Sequence, residues 1–183
     1  MPYPQLFAGQ RITADKLNAS RKRSVVQTAD QTLVGTTALV NTEIVLPIEA
    51  GAVYYYDCLI SYSAVRAGSG GSALSWSWNV PPGAVLARFT QSYVRDPASG
   101  VNTGSDVILR RPATTTRIPA GGTDSTSPPI NFHSAYDRGT ITAGGISGLV
   151  ILQVGQDTGT GPTASEVLLR GGNQTRCYFE RIL

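Results

Sequence analysis

Between Ile44 and Tyr62 the chain alternates with a period of two, and this alternation constrains the fold more than any other feature of the sequence. Ile44, Leu46 and Ile48 share one face of an extended segment, and Glu49-Ala50-Gly51 supplies turn chemistry. The next run sorts Tyr54, Tyr56, Cys58, Ile60 and Tyr62 to one side and Val53, Tyr55, Asp57, Leu59 and Ser61 to the other. A strand with apolar groups on both faces needs a cover on both. A second sheet is expected on one side and a neighbouring subunit on the other. Pro47 cannot donate to a ladder, so it marks a sheet edge or a strand end.

The same period recurs downstream. Leu74, Trp76 and Trp78 alternate with Ser75, Ser77 and Asn79 up to the Pro81-Pro82-Gly83 break. Further strands are expected in AVLARFTQSYV, VILRR, FHSAYDRGTITAGG, SGLVILQVGQD, SEVLLRGG and TRCYFERIL, while residues 112–130, rich in Thr, Pro and Gly, are predicted to be an exposed excursion. About eight to ten strands, turn signals every 8–15 residues and no helical period after residue 23 predict an all-β β-sandwich or jelly roll, with an up-and-down barrel as the competing architecture. Composition agrees: 19 Thr, 16 Ser and 20 Gly accompany only 15% charged residues. Low charge suits a surface partly covered by copies of the same chain.

Residues 1–23 read as a separate N-terminal anchoring arm, and residues 24–183 as the β domain. Pro2 and Pro4 hold the start extended, and Thr13 can cap a helix of about ten residues, too short to be stable alone. Leu6, Phe7, Ile12 and Leu17 are its apolar anchors, and Arg21, Lys22 and Arg23 complete its last turn. The arm carries a net charge of +4 and the domain −1, so the overall +3 belongs to the arm. No aromatic stacking platform accompanies that charge, which argues against nucleic acid as a partner and for docking on a protein. No run approaches the ~18–20 apolar residues of a membrane span, and the start lacks a secretory h-region, so assembly in a cytoplasm without membrane insertion is expected. Cys58 and Cys177 both sit in apolar strands, and the sequence leaves open whether they are bonded.

Residues 7–20, FAGQRITADKLNAS, resemble an N-terminal segment recurrent in structural proteins of actinobacterial tailed bacteriophages, roughly F-x-A-G-Q-x-L-T-A-x-x-L-N. Phe7, Ala8, Gly9, Gln10, Thr13, Ala14, Leu17 and Asn18 match, whereas Ile12 replaces the leucine and no residue separates Phe7 from Ala8. The domain is similar in layout to small phage β-sandwich proteins through Thr28, Ala29, Asp30 and Thr32, through Ile48 to Tyr54, and through Pro81 to Ala84. The resemblance implies an oligomeric fibre, tail-tip or capsid-surface protein, and it brings no catalytic residues with it.

A search for chemistry returns no catalytic, cofactor or metal site. His133 is the single histidine. With Ser134 adjacent and Asp137 four positions on, it does not have the spacing of a strand-borne triad. Asp96, Asp106 and Asp124 lie in Gly- and Ser-rich loops without calcium-loop spacing. Tyr54, Tyr56, Tyr62, Trp76 and Trp78 form the candidate contact face, for an oligomer first and a host-surface glycan second, with core burial as the structural alternative for the tryptophans. The expectation is a non-enzymatic virion protein: a homo-oligomer, preferably a trimer, of minor tail or fibre type, docked on other phage structural proteins. Capsid decoration or a head fibre is the alternative, and a glycan-binding module or polysaccharide hydrolase ranks below both.

Overall fold

The structure is a computed structural model that describes residues 8–9, 11, 13, 21–65, 73–93, 107–124, 130–157 and 166–182. The anchors Leu6, Phe7, Ile12 and Leu17 lie outside the described residues. Twelve strands are described: β1 (Arg23–Val26), β2 (Gln31–Val34), β3 (Val40–Ile48), β4 (Val53–Ala64), β5 (Leu74–Asn79), β6 (Val85–Tyr93), β7 (Val107–Arg110), β8 (Ile118–Pro119), β9 (His133–Thr142), β10 (Gly148–Gln156), β11 (Glu166–Leu169) and β12 (Arg176–Arg181). A large antiparallel sheet runs β1-β12-β4-β9-β6-β7, with β11 pairing both β4 and β2. The smaller antiparallel sheet runs β3-β10-β5-β8.

One apolar core joins the two sheets. Tyr54, Tyr56, Cys58, Ile60 and Tyr62 of β4 meet Ile44, Leu46 and Ile48 of β3, Val150, Leu152 and Val154 of β10, and Leu74, Trp76 and Trp78 of β5. The predicted alternation is the division between interior and exterior in β3 and over Val53–Ile60 of β4, while in β5 the alternating Ser75 and Ser77 are buried as well. Pro47 sits in β3 at the edge of the small sheet, where its missing N–H leaves no ladder bond unmade.

Two expectations are corrected. Arg23 does not close a helix but opens β1, opposite Phe179, with its guanidinium 6.0 Å from that ring. Pairing with the C-terminal strand satisfies its backbone, which a solvated helix end could not. Nor are residues 112–130 an exposed excursion throughout. Ile118 and Ala120 are buried, as are Thr123 and Asp124. The segment closes one end of the core because its backbone finds partners there: Ala120 N–H bonds the Leu74 carbonyl at 2.8 Å, and Thr123 N–H bonds that of Ala64 at 2.7 Å. The Tyr62 hydroxyl donates to the Gly121 carbonyl at 2.8 Å.

Two glycines set close approaches between strands. A Cβ at Gly139 would stand 1.9 Å from the Ala87 carbonyl oxygen, so only glycine lets β9 and β6 pair there. At Gly171 a Cβ would collide with the Ala29 backbone at 2.3 Å. The Thr28-Ala29-Asp30 turn packs on that glycine, and the Asp30 carboxylate accepts the Gly171 N–H at 2.6 Å.

Candidate functional site

The most concentrated polar chemistry of the molecule lies inside it. Asp137 projects from the inner face of β9, opposite Cys58 on β4 and Thr90 on β6, and is fully buried. Its carboxylate accepts the Tyr56 hydroxyl at 2.8 Å, the Trp76 indole N–H at 2.9 Å and the Trp78 indole N–H at 3.0 Å. Arg88 on β6 adds an ion pair, with Nη2 2.6 Å and Nε 3.2 Å from Oδ2. The other arm of Arg88, Nη1, donates to the carbonyls of Thr116 at 2.7 Å and Thr114 at 3.2 Å. A carboxylate offers about four lone-pair directions, and protein donors take all of them here. Such a group is a cross-link between β4, β5, β6, β9 and the segment after β7, not a proton carrier. Burial, followed by the neighbouring Asp137, pushes the Tyr56 phenol far above its ordinary range and keeps it a donor.

This cluster accounts for three of the residues singled out as a contact face. Tyr54, Tyr56, Tyr62, Trp76 and Trp78 are all buried in the core, Tyr56 and Tyr62 completely. They are therefore not an oligomer or glycan surface. The small sheet covers their face of β4, and Tyr56 packs edge-on against Trp78 with ring centroids 5.4 Å apart.

His133 stands at the start of β9 against the Tyr93 ring, with centroids 4.2 Å apart. Asp137 is fully engaged elsewhere, so the two do not combine with Ser134 into a triad. The Asp124 carboxylate accepts from Thr123 Oγ1 at 2.5 Å and from the Asn131 backbone and side chain, at 3.1 Å and 2.7 Å. Burial opposes its ionisation, but these bonds outweigh burial and hold its pKa below the ordinary carboxylate value. Asp96 and Asp106 lie outside the described residues. Among the described residues no three His, Cys, Asp or Glu side chains gather as a metal site, and no helix is long and apolar enough to cross a membrane.

The opposite face of the large sheet is turned away from the core. Residues directly opposite in an antiparallel pair share a face, and the registers lay out rows across β12, β4, β9 and β6. One row is Tyr178-Asp57-Arg138-Phe89. The next is Arg176-Leu59-Tyr136-Gln91, extended onto β7 by Leu109. Val53 and Val85 flank Thr142 at one end, and Tyr93 faces Val107 at the other. Val85, Val107 and Leu109 are exposed, as is Tyr178. Charges of both signs lie on this face: Arg176, Arg138 and Asp57 in these rows, with Arg138 and Asp57 4.0 Å apart, Glu180 opposite Tyr55 in the neighbouring row, Arg111 beside Phe89 and Arg170 over the Phe132 ring. Beside β7 this face dips into a groove of about 360 Å³ lined by Tyr93, Val107, Phe132, His133 and Tyr136. At the far edge Lys22 sits 4.8 Å above the Tyr178 ring, so the basic end of the arm leaves the domain beside this surface.

No family model and no curated protein matches the chain. Among solved structures, it is similar to a chain in the structure of the Gt strain of infectious bursal disease virus, at 13% identity and a TM-score of 0.25 over the whole of this chain and 47% of that one. A mutant VP2 protein of the same virus, from derived T=1 particles, matches at 14% identity and a TM-score of 0.18, over 98% of this chain and 42% of that one. The chain thus spans less than half the length of these proteins, and likeness at these scores carries no argument about fold or function.

Proposed function

We propose that this chain is a non-enzymatic structural protein of a virus particle, held in the particle by its N-terminal segment and displaying a homo-oligomeric β domain. The observation that carries the reading is the outer face of the large sheet, where Tyr178, Leu59, Tyr136, Phe89, Val85 and Leu109 stand among charges of both signs. Five strands about 4.8 Å apart and about nine residues long span roughly 600 Å² in plane. This approaches the ~800 Å² that each partner contributes to a standard interface. Charges of both signs suit a second copy, which can pair them reciprocally, better than a partner of one sign. A trimer is the preferred assembly. A minor tail or fibre component is the preferred place in the particle, with capsid decoration or a head fibre as the alternative.

Two measurements test this. Light scattering on the full chain at tens of micromolar should give an oligomer, and Leu59→Glu with Tyr136→Glu should convert it to a folded monomer. A monodisperse wild-type monomer would refute the assembly. Labelled electron micrographs of particles should place the protein at the tail. Label over the head selects the decoration reading, and no label on the particle refutes the virion role.

A further inference from the structure

The two cysteines, far apart in sequence, are direct partners in the large sheet. Cys177 of β12 lies opposite Cys58 of β4, both are completely buried, and both are free thiols. The kind of pair follows from the ladder. Ile182 N–H bonds the Val53 carbonyl at 2.8 Å, one residue beyond the Arg181–Tyr54 pairing, so Val53 and Ile182 form a hydrogen-bonded pair. Antiparallel pairs alternate between hydrogen-bonded and non-hydrogen-bonded. Counting along the unbroken register, Tyr54–Arg181, Tyr56–Phe179 and Cys58–Cys177 are the non-hydrogen-bonded pairs. Those are the close pairs, with Cα atoms about 4.5 Å apart, inside the ~4.4–6.8 Å window of a disulfide. The Cys177 thiol donates to the Tyr178 carbonyl at 3.6 Å, a weak bond that the bridge would replace.

We propose that Cys58 and Cys177 are a latent cross-strand disulfide that fastens the C-terminal strand to the centre of the large sheet when the chain folds in contact with a small-molecule disulfide. The exchange needs an oxidant of the glutathione-disulfide class. The thiolate of one cysteine attacks the reagent disulfide, forming a mixed disulfide and releasing one glutathione thiolate. The second cysteine thiolate then attacks the protein sulfur of that mixed disulfide, forming the Cys58–Cys177 bond and releasing the second glutathione. Two protein thiols are oxidised, one reagent disulfide is reduced to two thiols, and the two protons lost by the cysteines end on the glutathiones. In the finished fold the reaction is slow, because neither thiol meets solvent and the hydrogen bond with Cys177, together with burial, raises the Cys58 thiol well above its ordinary value. The bridge therefore closes during folding or local opening of β12.

The test uses the full chain, unfolded in denaturant with a reductant and then refolded in either reduced or oxidised glutathione. Peptide mapping by mass spectrometry without reduction should find a Cys58–Cys177 linked peptide only in the oxidised sample. Because the bridge closes a loop of about 120 residues, the oxidised protein should melt about 5–15 °C higher than the reduced one. The folded, reduced protein should acquire the bridge far more slowly than the refolding chain. Cys177→Ala should abolish the redox-dependent shift, and Cys58→Ala is the second variant should that one fold poorly. Two titratable thiols after oxidative refolding to the native fold would overturn the proposal. So would linkage between two chains in place of the internal bridge, or a bridged protein that melts no higher than the reduced one.

Discussion

Replacing Asp137 should be the most damaging single substitution in the domain, although the residue lies in no cleft and touches no surface. Asp137→Ala leaves Arg88 as a buried charge without its counter-ion, which costs about 3–5 kcal/mol. It also orphans the Tyr56 hydroxyl and the indole N–H groups of Trp76 and Trp78. Each unsatisfied donor costs roughly 1–3 kcal/mol. The sum, about 6–14 kcal/mol, is comparable to the whole ~5–15 kcal/mol by which a typical domain is stable, so the alanine variant should not accumulate folded. Asp137→Asn is the measurable version. It keeps the shape and one acceptor oxygen, but it removes the charge and turns an NH₂ group toward other donors, for an expected loss of about 3–5 kcal/mol.

Arg88→Met should cost a similar amount, and a cycle with Asp137→Asn should show coupling of at least about 2 kcal/mol, since both side chains belong to one network. Urea unfolding at fixed protein concentration, followed by tryptophan emission, reads the site directly, because Trp76 and Trp78 are the only tryptophans and both donate to Asp137. An Asp137→Asn variant within about 1 kcal/mol of wild type, or an additive cycle, would refute the reasoning.

Three further expectations rest on separate parts of the molecule. Gly139→Ala should lower stability by at least about 2 kcal/mol, because its Cβ would meet the Ala87 carbonyl oxygen at 1.9 Å; a thermal melt unchanged from wild type would show that β6 and β9 can shift apart cheaply. The Glu43 carboxylate accepts the Thr28 hydroxyl at 2.6 Å and the Thr28 N–H at 2.5 Å, and these bonds lower its pKa. A lowered folded-state pKa contributes stability that is present above the unfolded value and lost as pH falls through the folded one, so Glu43→Gln should flatten the acid limb of a pH–stability curve and converge with wild type at its low end. Deleting residues 1–20, a cut that spares β1, should leave a soluble folded oligomer that no longer joins the particle, and Phe7→Asp with Leu17→Asp should do nearly the same; truncated protein at normal copy number on purified particles would show that the arm is not the anchor.

Much of the fold was legible because burial here follows strand parity. Ile44 to Ile48 and Val53 to Ile60 alternate in burial as they do in sequence, whereas β5 is buried on both faces, Ser75 and Ser77 included. What parity cannot say is which sheet covers which face. The core alternative for Trp76 and Trp78 holds, whereas Tyr54, Tyr56 and Tyr62 are interior and not a surface for partners; the outward parity is that of Tyr55, Leu59, Tyr136 and Phe89. The excursion over residues 112–130 misled for a different reason. Thr, Pro and Gly mark irregular backbone, but irregular backbone is buried wherever its N–H and C=O groups find partners, as Ala120 and Thr123 do. A signal for the central cluster was present: in Ala135-Tyr136-Asp137-Arg138-Gly139-Thr140-Ile141 the acid shares parity with Ala135 and Ile141, and Arg88 shares parity with Leu86. A charge on the apolar face of each of two strands is the mark of a buried pair.

The position of that pair bears on the outer face as well. Asp137 lies between Tyr136 and Arg138 on β9, so whatever fixes the direction of Asp137 also fixes theirs. A slip of β9 by one residue would expose Asp137, drive Arg138 into the core and remove Tyr136 from the row with Leu59 and Gln91. An apolar residue at position 137 would resist such a slip only by the hydrophobic difference between the two faces. A carboxylate that must meet four partners from three other strands resists it far more strongly, because the slipped arrangement leaves an unpaired Arg88 and three orphaned donors. The buried pair therefore need not add net stability over a well-packed apolar alternative. Its contribution is to make one register of β4, β9 and β6 much better than any other. The outer rows, and any interface built on them, inherit that choice.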